Sequence, residues 1–193
     1  MLGSFVKHGL TQNEAESEIL FQIVAGSDTT ATAIRITLLL ILANPRVYNT
    51  LMAEIESFAP GLRMDEVISD QLSRKMPYLQ AVIKEGIRWY PPITGLLSKR
   101  VPAEGDEWNG VKLPGGINVA CSVVGIQRNK EFWGQDANEF RPERWLEVGL
   151  DRLKSMEATL MLTFGYGRWQ CLGKDLAFME LNKVFVEVSW LLC

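Results

Sequence analysis

The stretch at residues 164–173, FGYGRWQCLG, restricts the fold of this chain more than any other. It holds one cysteine, Cys171, and it runs directly into a helical pattern, KDLAFMELNKVFVEVSWLL. A helix N-terminus offers unpaired backbone N–H groups and a positive dipole end, which together stabilise a thiolate. The glycines of the stretch, Gly165, Gly167 and Gly173, permit backbone angles that a side chain forbids and let a flat ligand approach the main chain.

This cysteine loop has two interpretations. A lone cysteine beside a glycine-rich turn is usually an inert buried thiol, and taken alone Cys171 favours that interpretation. The alternative is a thiolate that points at a planar iron cofactor, which requires donors around the sulfur and little bulk near it. The rest of the chain decides between the two.

Length and composition exclude several classes of protein. The length of 193 residues suits one domain with a real core. The formal net charge is −3 and the basic residues are scattered, so no nucleic-acid partner is expected. Its cysteines, Cys121, Cys171 and Cys193, are far apart and odd in number, which argues against a disulfide framework. The longest apolar run, residues 36–43, is too short to span a bilayer, so no targeting or transmembrane segment is predicted. The single histidine, His8, has no partner at metal-ligand spacing and receives no role.

The first helix is predicted to be long. Thr11 and Glu14 form a capping box, in which each side chain satisfies a backbone N–H group of the other residue, and an Asn-Pro pair ends the helix after about Ala43. Its middle, residues 25–30 with the sequence AGSDTT, contains weak helix formers whose hydroxyls can bend the axis. From the residues alone, a kinked core helix and a widened, pocket-lining helix with an acid and a hydroxyl are equally open.

The later elements follow from prolines, apolar stripes and turn residues. The predicted elements are a helix at 45–58, a helical turn at 65–73, a helix at 78–90, a strand within 93–101, short strands joined by turns at 108–119, a short helix at 120–128, an irregular meander with one helical turn at 147–160, and a final helix from 174 almost to 193. Glu85 and Arg88 share one face of the helix at 78–90, an arrangement that is usually an exposed pair of little energetic weight. The chain is therefore mainly α with a small β part in the middle.

Four motifs follow one another along the chain: AGSDTT, EGIR, FRPERW and FGYGRWQCLG. Each alone is a weak signal, but their order and spacing over nearly the whole chain resemble the cytochrome P450 family of haem-thiolate monooxygenases, most of all fungal microsomal members of the pisatin-demethylase type. The resemblance implies the C-terminal half of that fold: a long distal helix, the ExxR helix, a small β-sheet, a meander, the cysteine-ligand loop and a final helix. Residues 1–193 are then expected to form a partial domain, a fragment without the N-terminal half and the C-terminal β-hairpin.

The resemblance assigns several residues to the proximal side of the haem. Cys171 matches the axial thiolate that binds the iron of haem b, iron protoporphyrin IX, and Phe164 matches the aromatic residue beside the sulfur. Gly167 and Gly173 match the glycines that shape the loop. Arg100 matches a strand residue that contacts a haem propionate, because a guanidinium suits a carboxylate.

Other residues match the side of the haem where oxygen and substrate bind. Asp28 and Thr29 match the acid and the alcohol that deliver protons to oxygen. Ala25 and Gly26 match the small residues that leave room for O2 and substrate. The segment that faces the substrate in the family matches Ile93, Thr94, Gly95 and Leu96.

The resemblance also implies a buried charge network made of Glu85, Arg88 and Arg144, the last from FRPERW. Its expected role is structural, to fix the meander and the cysteine loop. A buried charge is costly unless it is paired and hydrogen-bonded. Since two arginines face one glutamate, backbone carbonyls are expected to accept the spare N–H donors.

One position departs from the family pattern. Two residues before the cysteine the family usually has Arg or His as a propionate partner, whereas this chain has Trp169, with Arg168 one residue earlier. A one-residue shift redirects a side chain, which puts Arg168 in doubt as a propionate ligand. Trp169 can still donate its indole N–H.

The implied reaction is insertion of one oxygen atom of O2 into a small, apolar organic substrate, with electrons from NADPH through an NADPH-cytochrome reductase. For the full-length relative the implied location is the cytosolic face of the endoplasmic reticulum membrane, through an anchor absent from this chain. The alternative is a non-catalytic truncated remnant or a haem-binding module without turnover. In either case the long helix is expected to expose an apolar face that includes Ile23, Ile34 and Leu38 and to cause association.

Overall fold

The computed structural model describes residues 2–58, 60 and 67–191 of the chain. Within these ranges it is mainly helical with two small antiparallel sheets, as predicted. The helices are α1 (Leu2–Lys7), α2 (Gln12–Leu42), α3 (Pro45–Phe58), α4 (Asp70–Ser73), α5 (Pro77–Trp89), α6 (Val123–Gln127), α7 (Lys130–Trp133), α8 (Leu150–Met161) and α9 (Lys174–Leu191), and the strands are β1 (Leu96–Arg100), β2 (Asp106–Trp108), β3 (Val111–Leu113) and β4 (Asn118–Ser122). The chain divides into two compact units, Met1–Met76 with Leu172–Cys193, and Pro77–Cys171.

The predicted capping box begins α2, the longest helix of the first unit. The Thr11 hydroxyl accepts from the Glu14 N–H, and Glu14 Oε2 accepts from the Thr11 N–H at 2.8 Å. These hydrogen bonds from Thr11 hold the pKa of Glu14 below its ordinary value. The helix continues without interruption through residues 25–30 and ends at Leu42, where the predicted Asn-Pro pair follows its cap.

The core of the first unit is built on apolar stripes at helical spacing. On α3, the side chains of Val47, Leu51 and Ile55 are completely buried, as their spacing of four residues predicts. The short helix α4, within the helical turn predicted at 65–73, is tied to α9, because Asn182 donates to Asp70 Oδ1 at 2.7 Å. Asp65, where that predicted turn begins, lies outside the described residues.

One face of α2 is apolar and exposed. Leu20, Phe21, Ile23 and Val24 are between 59% and 68% exposed. The prediction of an exposed face is correct at Ile23, whereas Ile34 and Leu38 are half-buried. The reason is that α2 packs against α3 and α9 over its C-terminal half, where Ala33, Thr37 and Ile41 form the buried stripe.

The same helix bears on the membrane prediction. By length and composition, α2 is long and apolar enough to cross a bilayer, although core helices of soluble proteins and signal sequences satisfy the same criterion. The prediction that the chain has no segment capable of spanning a membrane is therefore not confirmed. That prediction counted only the uninterrupted run at 36–43, whereas the helix also includes apolar residues at 19–25.

The second unit contains both sheets. β1 and β4 pair antiparallel, with Leu96 opposite Ser122 and Arg100 opposite Asn118. β2 and β3 are joined by Asn109 and Gly110, whose φ angles of 48° and 79° are those of the two-residue hairpin turn that an Asn-Gly pair favours. The predicted strand within 93–101 and the short strands at 108–119 are thus present.

Two predicted elements of the second unit are wrong in extent. The helix predicted at 120–128 is shorter, because residues 118–122 form β4 before α6 begins. The meander predicted as irregular at 147–160 is largely the regular helix α8. Its apolar stripe is narrow, with only Met156 and Leu160 buried, which is why the hydrophobic period was too weak to reveal it.

The exposed face of α2 yields a test. Replacing Phe21 and Val24 together with glutamine is expected to reduce self-association of residues 1–193, because less apolar surface remains in water. Sedimentation velocity at several protein concentrations measures the change. Ser17→Gln, at an exposed polar position of the same helix, is the control and should sediment like the parent. If the double variant associates as strongly as the parent, this face does not drive association.

Candidate functional site

The structure brings Glu85, Arg88 and Arg144 together in the interior of the second unit. Arg88 binds Glu85 through two parallel hydrogen bonds, Nε to Oε2 and Nη2 to Oε1, both 2.8 Å long. Arg144 Nε donates to Glu85 Oε1 at 2.9 Å. The side chains of Glu85 and Arg88 are 0% exposed and that of Arg144 is 3% exposed. The spacing of Glu85 and Arg88 on α5 therefore marks a buried pair and not the common surface pair.

Backbone carbonyls accept the remaining guanidinium donors, as the charge imbalance of the three residues predicts. Arg88 Nη1 donates to the carbonyls of Gln127 and Ala137, each at 2.7 Å, and Nη2 to that of Glu139 at 3.0 Å. Arg144 donates to the carbonyls of Trp133, Asp136 and Glu139 at 2.9 to 3.4 Å. The segment 127–139 is thereby wrapped around the two guanidinium groups.

Two further N–H groups complete the coordination of Glu85. Trp145 Nε1 donates to Oε2 and the Arg141 backbone N–H donates to Oε1, both at 2.9 Å. The Trp133 ring lies 5.3 Å from the Arg88 guanidinium carbon, and it also packs on the Trp145 ring. Sequence reasoning did not assign Trp133 or Trp145 a role, because the aromatic residues of 132–145 follow no clear period.

Asp136 is the second carboxylate of the network, and sequence reasoning missed it. Its carboxylate accepts from Arg141 Nε at 2.6 Å and from Arg144 Nη1 at 3.1 Å. Burial alone would raise the pKa of Asp136, but the hydrogen bonds and charges of the two arginines hold that pKa below its ordinary value. Burial likewise would lower the pKa of Arg141, and its partners Asp136 and Glu147 raise it instead. With Asp136 included, the charges of Glu85, Arg88 and Arg144 are balanced.

The cysteine loop of the second unit is closed by a short backbone bond. The Cys171 N–H donates to the Phe164 carbonyl at 2.7 Å. Gly165 has a φ of 77°, and a Cβ there would lie 2.8 Å from the Trp169 carbonyl oxygen, so only glycine fits. Gly167 also has a positive φ, 62°. The Cys171 thiol itself is exposed.

The exposed thiol and aromatic side chains of this loop fit a haem, whose iron accepts a cysteine thiolate. Within residues 2–58, 60 and 67–191, no cluster of three or more His, Cys, Asp or Glu side chains could hold a metal ion. Tyr166 and Trp169, which flank the thiol in the loop, are 83% and 60% exposed and offer aromatic surface to a flat, apolar group.

Two cations, Lys99 and Arg168, lie against an aromatic ring of the same loop. The Lys99 Nζ atom is 4.5 Å and the Arg168 guanidinium carbon is 4.9 Å from the centre of the Trp169 ring. Arg100 Nε donates to the Gly116 carbonyl at 3.2 Å. None of these three cations pairs with a carboxylate among the described residues, so each is available to an anion such as a propionate. Lys99 was missed from sequence, since its contact with the Trp169 ring joins residues that are far apart along the chain.

The residues matched to the oxygen side lie in the first unit, on α2. Thr29 donates its hydroxyl to the Ala25 carbonyl at 2.8 Å, and Asp28 is exposed. A Cβ added to Gly26 would meet nothing within 4 Å. Gly26 lines an open groove of about 420 Å3 that also contacts Glu180 of α9, a carboxylate that sequence reasoning did not single out. The segment matched to the substrate, Ile93 to Leu96, is exposed and lies in the second unit.

Gly173 is the remaining residue matched to the loop. Its carbonyl accepts from the Ala177 N–H at 2.9 Å, so Gly173 begins the hydrogen-bonding pattern of α9. Cys171 precedes α9 by three residues, as the sequence pattern predicts.

Comparison with known proteins identifies the relatives of this chain. The family model described as Cytochrome P450 matches residues 4–188. The chain is 53% identical over 189 residues to cytochrome P450 monooxygenase ABA1 of Pyricularia oryzae, and 44% identical over 188 residues to aba1 of Botryotinia fuckeliana; each match covers 97% of this chain and 37% of the relative. It is 36% identical to pisatin demethylase of Fusarium vanettenii over 94% of the chain and 34% of that protein. The chain thus spans little more than a third of the length of these relatives.

The buried network makes a prediction about stability. Glu85→Gln keeps the side-chain shape and is expected to lower the free energy of unfolding by roughly 3–5 kcal/mol, because Arg88 and Arg144 lose a buried counter-charge. Glu157→Gln is the matched control: its ion pair with Lys84 in the same unit is 39% and 23% exposed, and its loss should cost less than about 1 kcal/mol. Urea denaturation measures both. Equal losses in the two variants would contradict the network.

The lowered pKa of Asp136 predicts how the free energy of unfolding changes at acid pH. Because the pKa of Asp136 is lower in the folded than in the unfolded protein, its ionised carboxylate stabilises the fold above the unfolded pKa, about pH 4. This stability is lost as the pH falls through the folded pKa. Asp136→Asn should therefore flatten the decline of unfolding free energy below about pH 4, and denaturant titrations across this range measure it. The exposed Asp106→Asn should retain the decline of the parent. An unchanged decline in Asp136→Asn would show that Asp136 does not carry this pH dependence.

Proposed function

We propose that this chain, which belongs to the cytochrome P450 family, is the part of a haem-thiolate monooxygenase that supplies the iron ligand. The observation that carries the proposal is Cys171: an exposed thiol in a loop closed by the Phe164 carbonyl, three residues before a helix. The relatives at 53% and 44% identity are named monooxygenases, which supports the reaction class.

Haem b, when bound, supplies the iron that activates O2 and so carries the redox chemistry. In this proposal the Cys171 sulfur ligates that iron as a thiolate. As the family resemblance implies, the Phe164 ring would pack beside the sulfur, and Gly165 and Gly167 keep the loop free of bulk so that a flat macrocycle can approach the backbone. Gly173 opens the helix whose N-terminus favours the negative sulfur.

Arg100 and Trp169 bind the haem propionates in this proposal. Arg100, on β1, forms no ion pair with a carboxylate among the described residues, and Trp169 carries an indole N–H donor at the position where the family usually has Arg or His. Arg168 keeps a lesser role, because its guanidinium packs on the Trp169 ring. Lys99, on the same ring, adds positive charge that favours a carboxylate nearby.

Asp28 and Thr29 manage protons on the oxygen side, and Ala25 and Gly26 leave space there. The Thr29 hydroxyl donates to the Ala25 carbonyl, so its oxygen lone pairs stay free to accept a hydrogen bond from water. The Asp28 carboxylate is exposed, and in this proposal the two groups together pass a proton by general acid–base chemistry.

The proposed substrate is a small, apolar organic molecule that faces Ile93, Thr94, Gly95 and Leu96. Electrons come from NADPH through an NADPH-cytochrome reductase, and the whole protein acts at the cytosolic face of the endoplasmic reticulum membrane. The exposed apolar side chains of Ile93 and Leu96 support an apolar substrate. Glu85, Arg88 and Arg144 touch no reactant and serve to hold the second unit in shape.

The test uses a fusion that joins the N-terminal part of the Pyricularia oryzae relative to this chain, because the relatives are longer than the chain. In the reduced carbon-monoxide spectrum, Cys171→Ser should lose the red-shifted band of a thiolate ligand, since a hydroxyl does not replace the sulfur. Cys121→Ser, at a half-buried thiol on β4, is the control and should keep the band. Loss of the band in Cys121→Ser instead would refute the assignment of Cys171.

A further inference from the structure

Gln127, at the C-terminal end of α6, occupies an unusual place in the second unit. It is 0% exposed, and its amide lies between the buried charge network and the segment that leads into the cysteine loop. Its backbone carbonyl accepts from Arg88 Nη1 at 2.7 Å. Its side-chain Nε2 donates to the Thr159 carbonyl at 2.9 Å and reaches the Thr163 hydroxyl at 3.4 Å. No role was assigned to this residue from sequence or from the family resemblance.

The two acceptors of Gln127 lie at the point where α8 ends. The last carbonyls of a helix lack the usual partner one turn further on and take donors from the cap or from side chains. The Thr159 carbonyl accepts from the Leu162 backbone N–H at the cap, and Gln127 is its second donor. Thr159 belongs to the last turn of α8, and a single 3-10 turn, Leu162–Phe164, follows it. Thr163 sits in that turn directly before Phe164, the residue whose carbonyl receives the Cys171 N–H. The Gln127 amide thus anchors the entrance of the cysteine loop.

The unpaired atom of the side chain indicates which half of the amide matters. Gln127 Oε1 is buried and has no hydrogen-bond partner among the described residues. A buried acceptor without a partner is unfavourable. Exchanging Oε1 and Nε2 would place an oxygen against the Thr159 carbonyl oxygen, so the orientation is fixed by the donor contact. The amide contributes through its N–H groups.

We infer that Gln127 is a positioning residue for Cys171, linking the Glu85–Arg88 pair to the loop that presents the thiol. The link runs from Glu85 through Arg88 to the Gln127 carbonyl, and from the Gln127 amide to Thr159 and Thr163. The importance of this positioning for catalysis rests on the proposed role of Cys171 as the iron ligand. The positioning itself does not, since it concerns the folded chain without haem.

Hydrogen–deuterium exchange on residues 1–193 tests the link directly. Gln127→Met keeps the length of the side chain and removes its donors. Exchange of amides in 162–171 should then accelerate about fivefold, the factor expected for one net hydrogen bond, while amides of α5 keep the exchange rate of the parent. Thr163→Val, which removes one acceptor without changing shape, should give a smaller acceleration in the same segment. Should Gln127→Met fail to fold, Thr163→Val decides the question.

Tyr78→Phe is the matched control, because it removes the hydrogen bond from the Tyr78 hydroxyl to Glu143 Oε1 elsewhere in the same unit. It should leave exchange in 162–171 unchanged. Unchanged exchange of this segment in both Gln127→Met and Thr163→Val would overturn the inference, as would an equal acceleration over α5 and the loop. Both outcomes leave the Cys171→Ser spectrum unaffected, so failure of the inference is distinguishable from failure of the proposed function.

The haem-loaded fusion protein gives a spectroscopic signature that a general loss of stability does not produce. Gln127→Met should lower the share of the reduced carbon-monoxide complex that shows the thiolate band, at equal total haem. Tyr78→Phe should leave that share as in the parent. An unaltered share in Gln127→Met would show that the amide does not position the thiol.

Discussion

The second unit depends on the hydrogen bonds and ion pairs that the Glu85 carboxylate forms. Five N–H groups converge on its two oxygens: two from Arg88, and one each from Arg141, Arg144 and Trp145. A buried charge is tolerated only when protein groups replace the water it has lost. Because these donors come from α5 and from the segment around 141–145, satisfying one carboxylate fixes two distant parts of the chain against each other.

Arg88 and Arg144 connect the Glu85 carboxylate to the segment that precedes the cysteine loop. Their remaining donors hold the carbonyls of 127–139, a stretch with little regular structure of its own. The Asp136 carboxylate balances the charge of the network and forms ion pairs with both Arg141 and Arg144. From Gln127 the contacts reach the end of α8, and the loop that begins there is closed by the bond from Cys171 to Phe164. We infer that the exposed thiol takes its position from the buried ion network through these contacts.

Local signals in the sequence predicted much of this. Some signals act within a few residues and can therefore be predicted from the sequence. They are the capping box at Thr11, the prolines that begin α3 and α5, and the Asn109-Gly110 turn. The grouping of Glu85 with Arg144 came from the motif order of a known family. What escaped prediction depends on long-range packing: Asp136 as a second counter-charge, Lys99 on the Trp169 ring, and the burial of Ile34. The helix α8 escaped because two buried residues make too narrow a stripe.

We propose above all that the sulfur of Cys171 is the protein ligand of a haem iron. Iron K-edge X-ray absorption on the haem-loaded fusion protein tests it most directly, since it reports the atoms bound to iron whatever the activity. The account predicts one sulfur neighbour per iron, retained when Cys121 is replaced with serine and absent when Cys171 is. An iron bound only by nitrogen and oxygen in the parent protein would contradict it.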